Sequence, residues 1–143
     1  MIKKFFSGNK QLAMVIKSNY SKEGIEFLTG DETSLQMGYM THKKGAVVEA
    51  HVHNEVQRTI TGTPEVLIIK NGKMRLDLYT EDRKYVESTI LEKGDIVLLS
   101  SGGHGLKCLE NTEMIEVKQG PYAGSNDKVR YEGISDNEVI INE

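Results

Sequence analysis

The chain has 143 residues and a formal net charge of -3, the length of about one domain. Hydrophobic residues make up 38% and charged residues 27%, which argues against both a membrane-embedded and a disordered chain; with no basic stripe, nucleic acid is not an expected partner. A single cysteine, Cys108, excludes an internal disulfide.

The opening MIKKFFSGNK holds an apolar run that stops at Phe6. That is too short for a signal peptide, and no stretch approaches the ~20 apolar residues of a membrane span. The expectation is a soluble cytoplasmic protein. Runs rich in Val, Ile, Leu and Tyr then recur along the chain, at 12–17, 25–29, 35–42, 47–53 and 65–70. More follow at 73–80, 85–91, 95–100, 104–109 and 113–119. Turn residues separate them: Gly45, Asn71-Gly72, Gly94-Asp95 and Asn111. Asn71-Gly72 between two such runs predicts a hairpin, because both residues tolerate positive φ. Short, closely spaced strands without a sustained 3.6-residue period predict an all-β sandwich or barrel. No linker or repeat divides the chain, so a single domain, 1–143, is expected. Its tail, 121–143, is polar and turn-rich, and is read as lying on the surface or reaching to another subunit.

Two of the four histidines stand as His51-Val52-His53 in the run 47–53. Alternate residues of a strand share a face, so both rings would project together with Cβ atoms roughly 6.6 Å apart. Val48, Ala50 and Val52 would form the other face, wholly apolar, so the strand is expected to be covered on both sides. His104 follows the run 95–100 and the tight turn Ser101-Gly102-Gly103, where a third imidazole can complete a chelate. Three imidazoles with one carboxylate suit iron, manganese, nickel, copper or zinc.

These segments resemble the cupin superfamily. Its first motif runs Gly, five residues, His-x-His, three or four residues, Glu, six residues, Gly. Gly45, His51 and His53 match its first half, and Glu65 with Gly72 matches its second. Between the halves stand eleven residues, Asn54 to Pro64, where the family has three or four. The fourth ligand is therefore Glu65, which keeps the spacing to Gly72, or Gln57, which keeps the spacing to His53. Glu65 is preferred because the hairpin would fix the strand's register, with Leu67 and Ile69 on the same inner face. The second motif is matched by Gly94, Gly102 and His104, with Ser100 where the family has proline and Cys108 where it has asparagine. Cys108 itself is read as a small packed residue. The resemblance covers about residues 35–120 and implies a double-stranded β-helix, the jelly-roll barrel, with one divalent metal ion held by His51, His53, Glu65 and His104.

The resemblance also implies an interior site suited to a small polar molecule, with the inserted residues 54–64 near its mouth. Arg58 in that loop is a candidate for gripping a carboxylate or phosphate. Glu116 and Lys118 share one face of the last strand and would act as acid and base if that face points inward. If Ile115 and Val117 point inward instead, the two are a surface pair. The leading expectation is an isomerase or lyase acting on an oxygen-rich, sugar-like metabolite, the metal polarising a carbonyl as a Lewis acid. An Fe(II) dioxygenase, a metal-independent nucleotide-sugar epimerase or isomerase, and a non-catalytic binding module are the alternatives. A homodimer formed through positions such as Val48, Ala50 and Val52 is expected.

Overall fold

The computed structural model describes residues 1–142; Glu143, the end of the tail read above, lies outside the described residues. Its strands are β1 (Ile2–Ser7), β2 (Lys10–Ile16), β3 (Gly24–Phe27), β4 (Gly38–Thr41) and β5 (Glu65–Asn71), then β6 (Lys73–Tyr79), β7 (Tyr85–Glu92), β8 (Ile96–Leu99), β9 (Gly103–Cys108) and β10 (Glu113–Lys118). Two short 3-10 turns, Gly124–Asn126 and Asp136–Glu138, are the only helical pieces among the described residues. The all-β expectation holds. All three sheets are antiparallel and none closes into a barrel. No helix among the described residues is long and apolar enough to cross a membrane.

The chain forms two compact units, one of Met1–Tyr20 with Gly62–Glu143 and the other of Ser21–Thr61. In the first, a five-stranded sheet in the order β1-β2-β8-β5-β10 shares a core with a three-stranded sheet in the order β7-β6-β9. Strand alternation builds that core. Phe5, Ala13, Val15, Leu67, Ile69, Val97 and Leu99 enter it from one sheet, and Met74, Leu76, Leu78 and Leu91 from the other. Each of the larger side chains, from valine upward, contributes about 1.5–3 kcal/mol through the water-exposed apolar area it loses.

Asn71-Gly72 is not a hairpin. β5 pairs with β8 and β10, β6 pairs with β7 and β9, and the turn between them carries the chain from one sheet to the other. The glycine is still required, since Gly72 has φ 87° and a Cβ there would strike the Asn111 carbonyl and Thr112. Periodicity and turn chemistry report a reversal but not which strands pair across it.

At the opposite end of the turn chemistry, Asp95 is fully buried. Its carboxylate accepts hydrogen bonds from Ser18 N at 2.8 Å and Glu92 N at 2.9 Å and is paired with the Lys17 ammonium. This ties the end of β2 to the turn that enters β8, and each carboxylate oxygen has a charged or backbone donor, as a buried carboxylate requires.

The described part of the tail belongs to the first unit. It lies over the outer face of the three-stranded sheet, where Arg75, Asp77 and Ser88 are buried although they point away from the core. Arg75 Nε reaches Asp77 Oδ1 at 2.7 Å and Arg75 Nη1 reaches Asp136 Oδ1 at 2.9 Å, while Lys107 also pairs with Asp136. Ile134 N donates to Tyr79 Oη and Ile140 N to Tyr85 Oη, both at 2.9 Å, and Ile141 makes a parallel bridge to Ser88. Tyr131 lies against Gly103 so closely that a Cβ there would overlap its hydroxyl. Gly103→Ala should therefore loosen the tail and speed tryptic cleavage after Lys128 and Arg130 several-fold; cleavage at the wild-type rate would show that the glycine is not what admits Tyr131.

The second unit carries β3 paired with β4, Glu26 opposite Tyr39. The strand expected at 47–53 is absent. Residues 46–61 have no regular secondary structure, with Val47 84% and Val52 88% exposed. The expected apolar cover over Val48 and Val52 is therefore also absent. The run alternates as a strand does, but a strand exists only where its N–H and C=O groups meet a neighbouring strand. Here the last backbone bond before the run is Ala46 N to Lys43 O at 3.0 Å.

Candidate functional site

The core register of the first unit places one predicted residue with little freedom. Leu67 and Ile69 are buried in the core, so Glu65, two residues earlier on β5, shares their face. Its side chain is only 12% exposed. On the facing sheet, His104 stands opposite Leu78 on β9, and because Leu78 points into the core, His104 does too. His104 Nε2 lies 3.2 Å from Glu65 Oε2. A carboxylate and an imidazole thus meet between the two sheets, where the apolar core gives way to solvent.

β10 completes this end. Lys118 is the register partner of Glu65 and Glu116 that of Leu67, so Glu116 and Lys118 point to the inner side. Ile115 and Val117 face outward, opposite Ile68 and Val66, and are exposed. Lys118 Nζ does not pair with Glu116; it holds Asp127 Oδ2 at 2.9 Å, a residue of the tail, and lies over the Tyr122 ring.

The electrostatics follow from these contacts. The Glu65 carboxyl is held below its ordinary value of 4.5, first by the hydrogen bond with His104, against burial, and further by the positive charges of His104, Lys128 and Lys118. Lys118 is held above the ordinary lysine range, first by its hydrogen bond to Asp127 and then by the charges of Asp127, Glu116 and Glu65.

His51 and His53 lie together in the second unit, their rings edge to face with centroids 5.2 Å apart. His51 Nδ1 is 2.9 Å from the Glu49 carbonyl oxygen. A carbonyl only accepts, so Nδ1 carries the hydrogen and Nε2 keeps the lone pair that a metal ligand needs. Gln57 and Arg58 are exposed in the same segment, and Arg58 Nη1 reaches only Val56 O at 3.4 Å. Cys108, expected to be packed, is exposed at the end of β9.

The predicted ligands therefore appear as two pairs, Glu65 with His104 and His51 with His53, each within its own unit. No group of three or more His, Cys, Asp or Glu side chains able to hold a metal ion occurs among the described residues. The Glu65–His104 pair nevertheless has the right bite. Donors each about 2.1 Å from one ion lie roughly 3.0–3.4 Å apart in octahedral or tetrahedral geometry, and the observed 3.2 Å falls between these. An oxygen and a nitrogen donor suit a divalent transition metal.

Sequence reasoning missed Asp127, which fixes Lys118, and Lys128 beside it. Both lie in a tail whose polar composition carried no motif. The one available signal was the Asp-Lys dipeptide in a chain stretch that follows β10 directly. Comparison with known proteins finds no family model, no curated protein and no solved structure that matches the chain.

The depressed Glu65 carboxyl has a sign that can be tested in metal-free protein. A carboxyl lowered by folding contributes stability above its unfolded value, here 4.5, and loses it as pH falls through the lower folded value. The stability gap between wild type and Glu65→Gln in urea should be present just above pH 4.5 and shrink as pH falls below it. A gap that persists unchanged at about pH 2, where a carboxyl is protonated in both states, would contradict the pairing.

Proposed function

We propose that the chain is a cupin-type protein that binds one divalent metal ion and works as an enzyme on a small, oxygen-rich metabolite, by an isomerase- or lyase-type reaction. The observation that carries this reading is the Glu65–His104 pair. Two residues from opposite sheets, chosen by the spacing of two separate motifs, meet at 3.2 Å at the open end of the core. Two antiparallel sheets sharing one core are also what a jelly roll is made from. Glu65 and His104 supply two donors of the ligand set. When bound, the metal would supply Lewis acidity toward a substrate carbonyl.

The chain's own residues have separate tasks in this reading. Lys118 is held as an ammonium by Asp127 and can donate a proton or a hydrogen bond toward the inner face of β10. Glu116, two residues away on that face, is the group that can accept a proton.

Metal content is the direct test. Protein purified without a metal-affinity tag should carry about one equivalent of a divalent transition metal, and His104→Ala or Glu65→Gln should each remove most of it. Full occupancy in His104→Ala would overturn the reading.

A homodimer belongs to the same proposal. The exposed Val48 and Val52 are among the apolar positions it would cover. Light scattering should give about twice 16.0 kDa at micromolar concentration, and a mass of 16.0 kDa would contradict it.

A further inference from the structure

The ion pairs Lys10–Glu81, Lys73–Glu92 and Lys84–Asp82 lie on the surface, with 39% or more of each side chain exposed. Lys118–Asp127 differs, since Asp127 keeps 7% of its side-chain exposure and Lys118 25%. Lys17–Asp95 is as enclosed, but there two backbone N–H groups also fix the carboxylate between core strands. Asp127 belongs to no strand. It enters from the tail, nine residues beyond Lys118. No residue of the intervening loop, 119–126, is buried, and its Tyr122, with a ring 5.1 Å from Lys118 Nζ, is 70% exposed. A loop without an anchor in the core thus sets one carboxylate on one ammonium.

The position of that ammonium gives the contact its meaning. Lys118 is the register partner of Glu65, and residues directly opposite in an antiparallel pair have Cβ atoms about 4.5–5.5 Å apart. Both face inward, at the open end of the core where His104 Nε2 meets Glu65 at 3.2 Å. A lysine on the inner face of a sheet costs desolvation unless a negative group meets it. Glu65 is bonded to His104, and the group that meets Lys118 Nζ is Asp127 Oδ2 at 2.9 Å. An ammonium offers three donors on a flexible stem, so it accepts a carboxylate from another molecule on the same terms.

We infer that Lys118 is the carboxylate-binding residue of this site and that Asp127 occupies it as an internal stand-in. The site then takes a small organic acid whose carboxylate displaces Asp127 while its other end lies against Glu65 and His104. This rests on the site proposed above and names its substrate class, but it does not require the metal. A monoanion fits because a phosphate dianion would bring its second charge toward Glu65 and Glu116, which share this inner side. Because Asp127 and the ligand compete for one ammonium, removing the Asp127 charge strengthens binding, whereas loss of a merely structural ion pair would not.

The test titrates glycolate, a carboxylate with one hydroxyl, and separately inorganic phosphate into the full chain, read from amide NMR shifts. The metal content of each sample is measured alongside. Asp127→Asn should bind glycolate roughly three- to tenfold more tightly than wild type, and Lys118→Met should bind it at least roughly tenfold more weakly. Lys118→Arg should keep most of the affinity, and Lys93→Met, the same charge removed from the exposed turn before β8, should have no effect. Glycolate should also speed tryptic cleavage after Lys128 in wild type, since it frees Asp127. Asp127→Asn that binds glycolate no better than wild type, Lys118→Met that binds it equally well, or phosphate bound more tightly than glycolate overturns this inference. Protein that carries no metal yet shows the Asp127→Asn and Lys118→Met effects overturns the metal reading and supports this inference.

Discussion

The site depends on the face that β5 turns toward the core. Leu67 and Ile69 are buried between the two sheets of the first unit, and a slip of one residue would send both to the opposite face at a cost of several kcal/mol. That constraint fixes Glu65, which has no other way to point than inward. The same logic on the other sheet, through Leu78, fixes His104. The carboxylate and imidazole meet because apolar residues elsewhere on their strands cannot tolerate exposure, and their own attraction is a secondary contribution.

The inner faces of β9 and β10 are where this core runs out. These are the edge strands of the two sheets. Their inward positions, His104, Leu106 and Cys108 on one and Met114, Glu116 and Lys118 on the other, are mostly accessible although they share faces with buried residues. Polar side chains pay little desolvation there and stay within reach of water and small molecules. Catalytic and binding groups occupy such boundaries because a fully buried charge would need to be neutralised and a fully exposed one would be screened.

Much of this was legible in the residues themselves. The runs at 65–70, 73–80, 85–91, 95–100, 104–109 and 113–119 all became strands, because apolar alternation and turn residues agree there. Glu65 stands where the resemblance to cupins puts a ligand, His104 where a tight turn follows a strand, and the structure brings the two together. What failed was whatever depends on a partner far along the chain. The run 47–53 alternates like a strand yet forms no ladder, and Asn71-Gly72 turns the chain without pairing the strands beside it. β1 went unread because IKKFFS has two adjacent lysines, which break the alternation, and only Phe5 is buried. The facing of β10 was open until its register against β5 decided it. Asp127, Asp136 and Tyr131 act through contacts 9 to 61 residues distant, which no local pattern encodes.

The central proposal is that Glu65 and His104 serve as ligands of one ion and not only as a salt bridge. Crystals of the Co(II)-loaded protein, recorded on both sides of the cobalt absorption edge, locate the ion directly. The account predicts one anomalous peak, with a Glu65 carboxylate oxygen and His104 Nε2 each about 2.0–2.2 Å from it. A fully occupied peak elsewhere, with the Glu65–His104 contact unchanged and no metal beside it, would contradict the account.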